Sequence, residues 1–205
     1  RARLLLAAAL GIALVGAAFF AGRQTRTAAT QPTYSQLTFR QGSILSARLT
    51  PDGQTVLYSA AWDGNPVELF STRAGSPESR PLGLPRAEIL SVSRSGEMAV
   101  LMDASFTLGW MRSGTLARAP LGGGVPRPVL ERVQDADWGP DGKSLAVVRS
   151  EGARYRLEYP ISTVLHETTG WIDSPRVSRD GRRVAFIEHP ALGDDRGLVG
   201  VVDLS

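Results

Sequence analysis

The sequence predicts an all-β chain: a partial β-propeller of about four blades, each a four-stranded antiparallel sheet, preceded by one transmembrane α-helix. Three observations predict it. A run of 19 residues near the start carries no charge, a turn motif recurs at intervals of 39–46 residues, and an apolar run follows each copy of that motif.

The uncharged run is Leu4 to Gly22, LLLAAALGIALVGAAFFAG. At about 1.5 Å of rise per residue it spans roughly 28 Å, close to the ~30 Å hydrocarbon core of a bilayer. Arg1, Arg3, Arg23 and Arg26 flank it, and their long stems let the charged heads reach lipid headgroups. The alternative is a cleaved secretory signal, with Ala17, Ala18 and Ala21 as the small residues of a cleavage site. Such a signal usually has a shorter apolar region, about 7–15 residues. Both flanks carry two arginines, so charge does not set the orientation. Residues 23–33, RQTRTAATQPT, are polar and aperiodic, as a juxtamembrane linker is.

The 205 residues hold 23 Lys and Arg against 20 Asp and Glu, a net charge of +3. The four flanking arginines account for that excess, because beyond residue 26 the counts are 19 and 20. A nucleic-acid surface needs clustered positive charge, and none is present, so nucleic acid is not an expected partner. There is no cysteine, which removes disulfide frameworks and thiolate metal sites.

Beyond the linker, Tyr34–Arg40 is a lone strand candidate, and Gln36–Phe39 is expected to close a propeller ring and so remove an exposed sheet edge. Four segments then align on a glycine: Gly53, Gly96, Gly142 and Gly181, with spacings of 43, 46 and 39 residues. That period is the length of a four-stranded blade. Pro51 and Pro140 set φ for the first corner of a turn, and Asp52, Asp141 and Asp180 suit the next. The glycine then takes the left-handed conformation that closes the hairpin. Before each glycine, an apolar residue (Leu49, Val92, Trp138, Val177) follows a polar one (Arg48, Ser91, Asp137, Arg176), the alternation of a half-buried strand. After each glycine come Val56–Tyr58, Met98–Met102, Leu145–Val148 and Val184–Ile187, continuous apolar runs that need burial on both faces. Further strand candidates complete each unit, the last being Leu198–Leu204, so the fourth unit has one strand fewer. The expected partition is 1–3 as a flank, 4–22 as the helix, 23–33 as the linker and 34–205 as the propeller. Its blades fall at about 41–85, 86–132, 133–170 and 171–205.

At Thr50-Pro-Asp-Gly53, Gly139-Pro-Asp-Gly142 and Ser178-Arg-Asp-Gly181 the chain resembles the TolB-type, WD-like propeller family. The second repeat departs from it with Arg94-Ser95-Gly96. The layout of apolar segment, short linker and TFRQGSILSARLTPDGQTVLYSAAWDG resembles the C-terminal half of bacterial eukaryote-like serine/threonine kinases. That resemblance implies a single-pass membrane protein with a cytoplasmic residue 1–3 flank and a periplasmic or extracellular propeller. It also implies a kinase domain elsewhere, since none of the kinase motifs is in this chain.

No catalytic, metal or cofactor residues are expected. Gly139-Pro-Asp-Gly-Lys-Ser144 ends like a phosphate loop but has Asp137 where the loop needs glycine, and it leads into a strand. His166 and His189 form no ligand pair; the first is expected on an outer strand and the second in a loop before Pro190. Asp194 and Asp195 could join a calcium site, but a solvated hairpin loop is the better expectation. Trp138 falls on the core register, whereas Trp62 and Trp110 lie near loops as surface-contact candidates. Arg48, Ser91, Asp137 and Arg176 share one register of the inner strands and are expected either to face the central channel and bind a peptide or anion, or to bridge neighbouring blades. The expected partners are therefore a bilayer, through residues 4–22, and a protein or peptide ligand. Two rivals to a receptor-kinase sensing module remain: the propeller of a membrane-bound prolyl-oligopeptidase-type peptidase, and a TolB-like periplasmic envelope component.

Overall fold

The structure is a computed structural model and describes residues 11–18, 32–73, 75–76, 78–107 and 111–205. It divides into two units, Arg1–Ser35 and Gln36–Ser205. In the first, residues 11–18 are helical. Among the described residues no helix is long and apolar enough to cross a membrane. The rest of the expected 4–22 span, and residues 23–31 of the linker, lie outside the described residues.

The second unit is all-β. The first sheet runs β1 (Gly42–Leu49), β2 (Thr55–Trp62), β3 (Glu68–Arg73) and β4 (Arg80–Pro85), antiparallel and in chain order. Next come β5 (Ala87–Val92), β6 (Glu97–Thr107), β7 (Met111–Pro120) and β8 (Arg127–Trp138), then β9 (Leu145–Glu151), β10 (Arg154–Glu158) and β11 (Val164–Thr168). The last sheet is β12 (Trp171–Val177), β13 (Arg183–His189) and β14 (Leu198–Asp203).

β5 to β11 form one hydrogen-bonded sheet of seven strands where the repeat suggested two sheets of four. The reason is β8, whose 12 residues serve both. Its Arg127–Val133 portion pairs with β7, and its Val133–Trp138 portion pairs with β9. The chain changes direction at Arg132, in the left-handed region with φ 58°. Between the first and second sheets the same passage occurs at Arg86, φ 54°, and there it does end one strand before the next begins. With no loop at these junctions, a single residue with positive φ turns the chain from the outer edge of one sheet to the inner edge of the next.

The middle strands explain the apolar runs. On β6, Met98 and Val100 pack with Leu57 and Leu69 of the first sheet and with Ile89 of the adjacent β5, while Ala99 and Leu101 pack with Trp138 and Val147 of the third repeat. On β9, Leu145 and Val147 face the second blade, and Ala146 and Val148 face Ile172 and Val184. Adjacent strand residues point to opposite faces, so a strand sandwiched between sheets must be apolar at every position. Burying each such side chain stabilises the fold by roughly 1.5–3 kcal/mol.

The turns are as the glycine alignment requires. Gly53, Gly142 and Gly181 have φ of 69°, 67° and 73°, and each N–H bonds the carbonyl three residues earlier. The preceding aspartates cap these turns: Asp141 Oδ1 accepts from the backbone N–H of Lys143 and Ser144, both at 2.9 Å. In the second repeat the closing bond is Ser93 N–H to Glu97 O, one residue tighter than Thr50 to Thr55. The Ser93 and Ser95 hydroxyls there donate to Gly142 O at 3.3 and 3.1 Å, tying the second turn to the third.

One strand expectation fails. Residues 32–39 form no strand. A strand requires a ladder partner, and this segment has none among the described residues. Leu37–Arg40 instead lies by Tyr58, Trp62 and Phe70.

Candidate functional site

The innermost strands of the four repeats are β1, β5, the second half of β8, and β12, and each touches the next. Each carries a register shift at an equivalent place: Ile44/Ser46, Ile89/Ser91, Val133/Asp135 and Asp173/Arg176. Such a bulge re-aims side chains and frees backbone groups from the ladder. The freed groups of β5 are taken up by the first sheet. Ser59 Oγ accepts from Ile89 N–H at 2.7 Å, Ser46 Oγ donates to Ile89 O at 3.0 Å, and Arg48 Nε donates to Leu90 O at 2.6 Å. The re-aimed residues Leu45, Gln134 and Ser174 line a cavity of about 420 Å³ where the inner strands converge.

The register set separates into two pairs. Arg48 and Arg176 line the cavity. Ser91 and Asp137 do not. Ser91 Oγ donates to Asp137 Oδ1 at 2.6 Å and accepts weakly from Trp138 N–H at 3.3 Å, and Asp137 Oδ2 accepts from Val177 N–H at 2.9 Å. Asp137 thus joins three successive repeats by hydrogen bonds. The expected bridging through Arg48–Asp137 or Arg176–Asp137 ion pairs does not occur among the described residues. Both guanidiniums bond backbone carbonyls, Arg176 that of Pro175 at 2.6 Å.

The cavity is strongly polar. Arg48, Arg112 and Arg176 surround Asp135, and Asp173 lies on the β12 side. Removal from water pushes the Asp135 carboxyl up, against the opposing pull of Arg176, Arg112 and Arg48. The same loss of solvent, helped by repulsion from Arg176, lowers Arg48. Glu88, fully buried, is raised by burial and only partly restrained by Arg112, whose Nε lies 3.2 Å away. Gln134 is 7% exposed, and among the described residues its Oε1 has no hydrogen-bond partner. Trp171, 6% exposed, closes one wall and stacks on His189 at 3.7 Å.

Of the two tryptophans expected at the surface, the structure describes one. Trp62 is not a surface contact: it is 4% exposed, packed edge-on against Tyr58 and Phe70, with the Arg40 guanidinium 5.2 Å over its ring. The loop position misled because β2 continues through Trp62 itself. Trp110 lies outside the described residues. His166 is on β11, beside Glu188 at 3.1 Å. His189 is no loop residue but the buried end of β13. Asp194, in its hairpin, is bound by Arg196, which holds its carboxyl at about 2.

The sequence reading missed Gln134, Asp135, Arg112, Asp173 and Trp171. Asp135 sits two residues before Asp137, on the same strand, which was a usable signal. Gln134 and Ser174 were not accessible, since a bulge leaves no trace in an apolar–polar alternation.

No protein-family model matches the chain, and no curated protein sequence does. Solved structures do. A protein described as a TolB, from Agrobacterium tumefaciens, gives a TM-score of 0.62 at 14% identity, covering 80% of this chain and 64% of that one. TolB from Acinetobacter baumannii gives 0.59 at 19% identity, covering 77% and 40%. The tricorn protease gives 0.59 at 16% identity, covering 82% and 18%. The chain therefore spans less than two thirds of the length of each. The likeness is one of fold: residues 36–205 are built as a TolB-like β-propeller.

Proposed function

From a TolB-like propeller as premise, we propose that this chain is a binding module that presents its axial cavity to a protein or peptide, and does no chemistry of its own. The observation that carries the reading is the cavity itself. Side chains from β1, β7, β8 and β12 converge there from strands that touch in succession, with charged groups and an amide oxygen that has no partner among the described residues. Rigid elements that hold polar groups in a concave site are what recognition needs.

The uncharged run at residues 4–22, closed by arginines, supports a membrane tether with the propeller on the extracytoplasmic side. The layout's resemblance to receptor-like serine/threonine kinases supports a sensing role on behalf of such a kinase. A second reading rests on the likeness to the tricorn protease: the propeller serves beside a peptidase domain and filters what reaches it. A nucleophile motif on the same polypeptide would favour the second reading, and kinase motifs the first.

The test is photo-cross-linking in intact cells from a photoreactive residue at Leu45, in the cavity, and at Arg154, exposed on β10 away from the cavity, combined with alkaline extraction of membranes. The reading expects a discrete adduct from position 45 only, and a chain that stays in the membrane pellet unless residues 4–22 are deleted. Equal adducts from both positions would remove the axial site. Release by alkali would remove the tether.

A further inference from the structure

We propose that the axial cavity recognises the free C-terminal carboxylate of a peptide, with Arg48, Arg112 and Arg176 holding the carboxylate and Gln134 Oε1 accepting the N–H of the terminal residue. The inference rests on the reading of the cavity as a peptide site and adds the chemistry of its occupant.

Four observations carry it. The three arginines come from three different strands, β1, β7 and β12, yet line one cavity. They share one central carboxylate, Asp135, which interacts with all three. Burial first, and then repulsion from Arg176 and Arg112, weaken the hold of Arg48 on its proton, and Asp135 and Asp137 offset only part of this. An added anion relieves that repulsion, and the planar fork of an arginine fits a carboxylate in two-point fashion.

Gln134 decides which anion. It is nearly fully buried, its bulge turns it into the cavity, and its Oε1 is an acceptor with no partner among the described residues. A buried unpaired acceptor costs about 1–3 kcal/mol, so an occupant that donates to it is favoured. Inorganic phosphate at neutral pH offers mainly acceptors and would face Gln134 Oε1 and Asp135 unfavourably. The last residue of a peptide offers a carboxylate and an N–H a few bonds apart. Asp173 and Asp135 act against any anion placed on their side, which confines the carboxylate to the arginines and favours a single negative group over a multiply charged one. About 420 Å³ is within the usual size of small-ligand sites.

The test uses the full 205-residue chain in detergent micelles, with the Gln134 side-chain amide and Trp171 indole followed by NMR. Three probes are titrated: N-acetyl-trialanine with a free carboxylate, the same tripeptide as its C-terminal amide, and inorganic phosphate. The proposal expects both signals to shift with the free acid, and at least about tenfold weaker binding of the amide and of phosphate. Arg176→Gln and Gln134→Leu should each weaken the free acid by about tenfold, with a strand spectrum otherwise unchanged. Arg154→Gln, on β10 outside the cavity, should leave it unaffected. If acid and amide bind equally and Arg176→Gln weakens both, the cavity is a peptide site but terminal-carboxylate recognition is wrong. Preferential binding of phosphate overturns the proposal in favour of an inorganic anion site. If no probe moves either signal, both this proposal and the peptide reading fall.

Discussion

β9 and β13 occupy the same place in successive repeats, after the same turn glycine, yet they live in different surroundings. Leu145, Ala146, Val147 and Val148 of β9 are all at most 2% exposed. On β13 burial alternates: Val184, Phe186 and the terminal His189 are buried, while Ala185 and Ile187 are half-buried. The adjacent β14 leaves Leu198, Val199 and Val201 at 66%, 79% and 59% exposure. The two strands have similar sequences, so the difference comes from what packs against them. β9 has a repeat packed on each face. β13 has one on one side only among the described residues.

The first sheet shows a third solution. Leu57 of β2 faces the second blade, whereas Tyr58, Ala60, Trp62 and Phe70 form a separate cluster on the opposite side. There the aromatic rings cover one another, with Tyr58 stacked on Phe70 at 5.5 Å, and residues 37–40 lie alongside. An apolar face without a neighbouring sheet is thus partly closed by its own large side chains.

The largest effect should separate sandwiched from unpartnered positions. Leu101→Ala on β6 should cost about 2–5 kcal/mol, the usual range for a fully buried leucine, whereas Val201→Ala on β14 should stay within about 0.5 kcal/mol. Urea unfolding of both variants measures this. Similar costs would mean that β14 is covered in solution or that β6 is not packed on both faces.

A smaller effect concerns the stitching between repeats. Asp137→Ala removes the acceptor of both Ser91 Oγ and Val177 N–H and takes that partner from a buried hydroxyl and a half-buried amide. The expected loss is about 1–3 kcal/mol. Asp203→Ala, at an exposed pair with Arg183, should cost less than about 0.5 kcal/mol. A loss at Asp137 no larger than at Asp203 would show that packing alone joins the blades.

These two comparisons bear on how much the sequence disclosed. The glycine spacing located the turn between the first two strands of each repeat, because left-handed φ is a local requirement that a sequence must meet in place. The apolar runs located every middle strand, since burial on both faces removes the alternation that a one-sided strand shows. Continuity of β8 was hidden, because Arg132 is an ordinary residue doing what a glycine usually does. The ring-closing strand was a false expectation: YSQLTFR has strand composition, but a ladder also depends on a partner that composition does not report. In the axial site, Arg48 and Arg176 were legible from register, but the bridge between repeats was expected from an arginine to Asp137, whereas Ser91 makes it. Gln134, Arg112 and Trp171 were not, because a bulge, a β7 start and a sheet edge bring them there.

The smallest effect is on acid stability. Asp52, Asp141 and Asp180 are held below the ordinary range near 3.8, in each case first by a hydroxyl, that of Thr50, Ser144 and Ser178. A carboxylate depressed in the fold stabilises it above its unfolded value, and that contribution disappears as pH falls through the folded one. The urea midpoint should therefore decline below about pH 4, and the triple variant D52N/D141N/D180N should show a shallower decline. An identical acid slope in the variant would mean that the caps carry no pH-dependent stability.

The central claim is that adjacent residues of one middle strand pack against two different repeats, one on each face, and methyl–methyl NOEs on a Val147/Val148-labelled sample test it most directly. The account predicts cross-peaks from Val147 to the Leu90, Leu101 and Leu116 methyls, and from Val148 to those of Ile172 and Val184. Cross-peaks from both valines to the same group would contradict it, because one strand cannot then lie between two repeats.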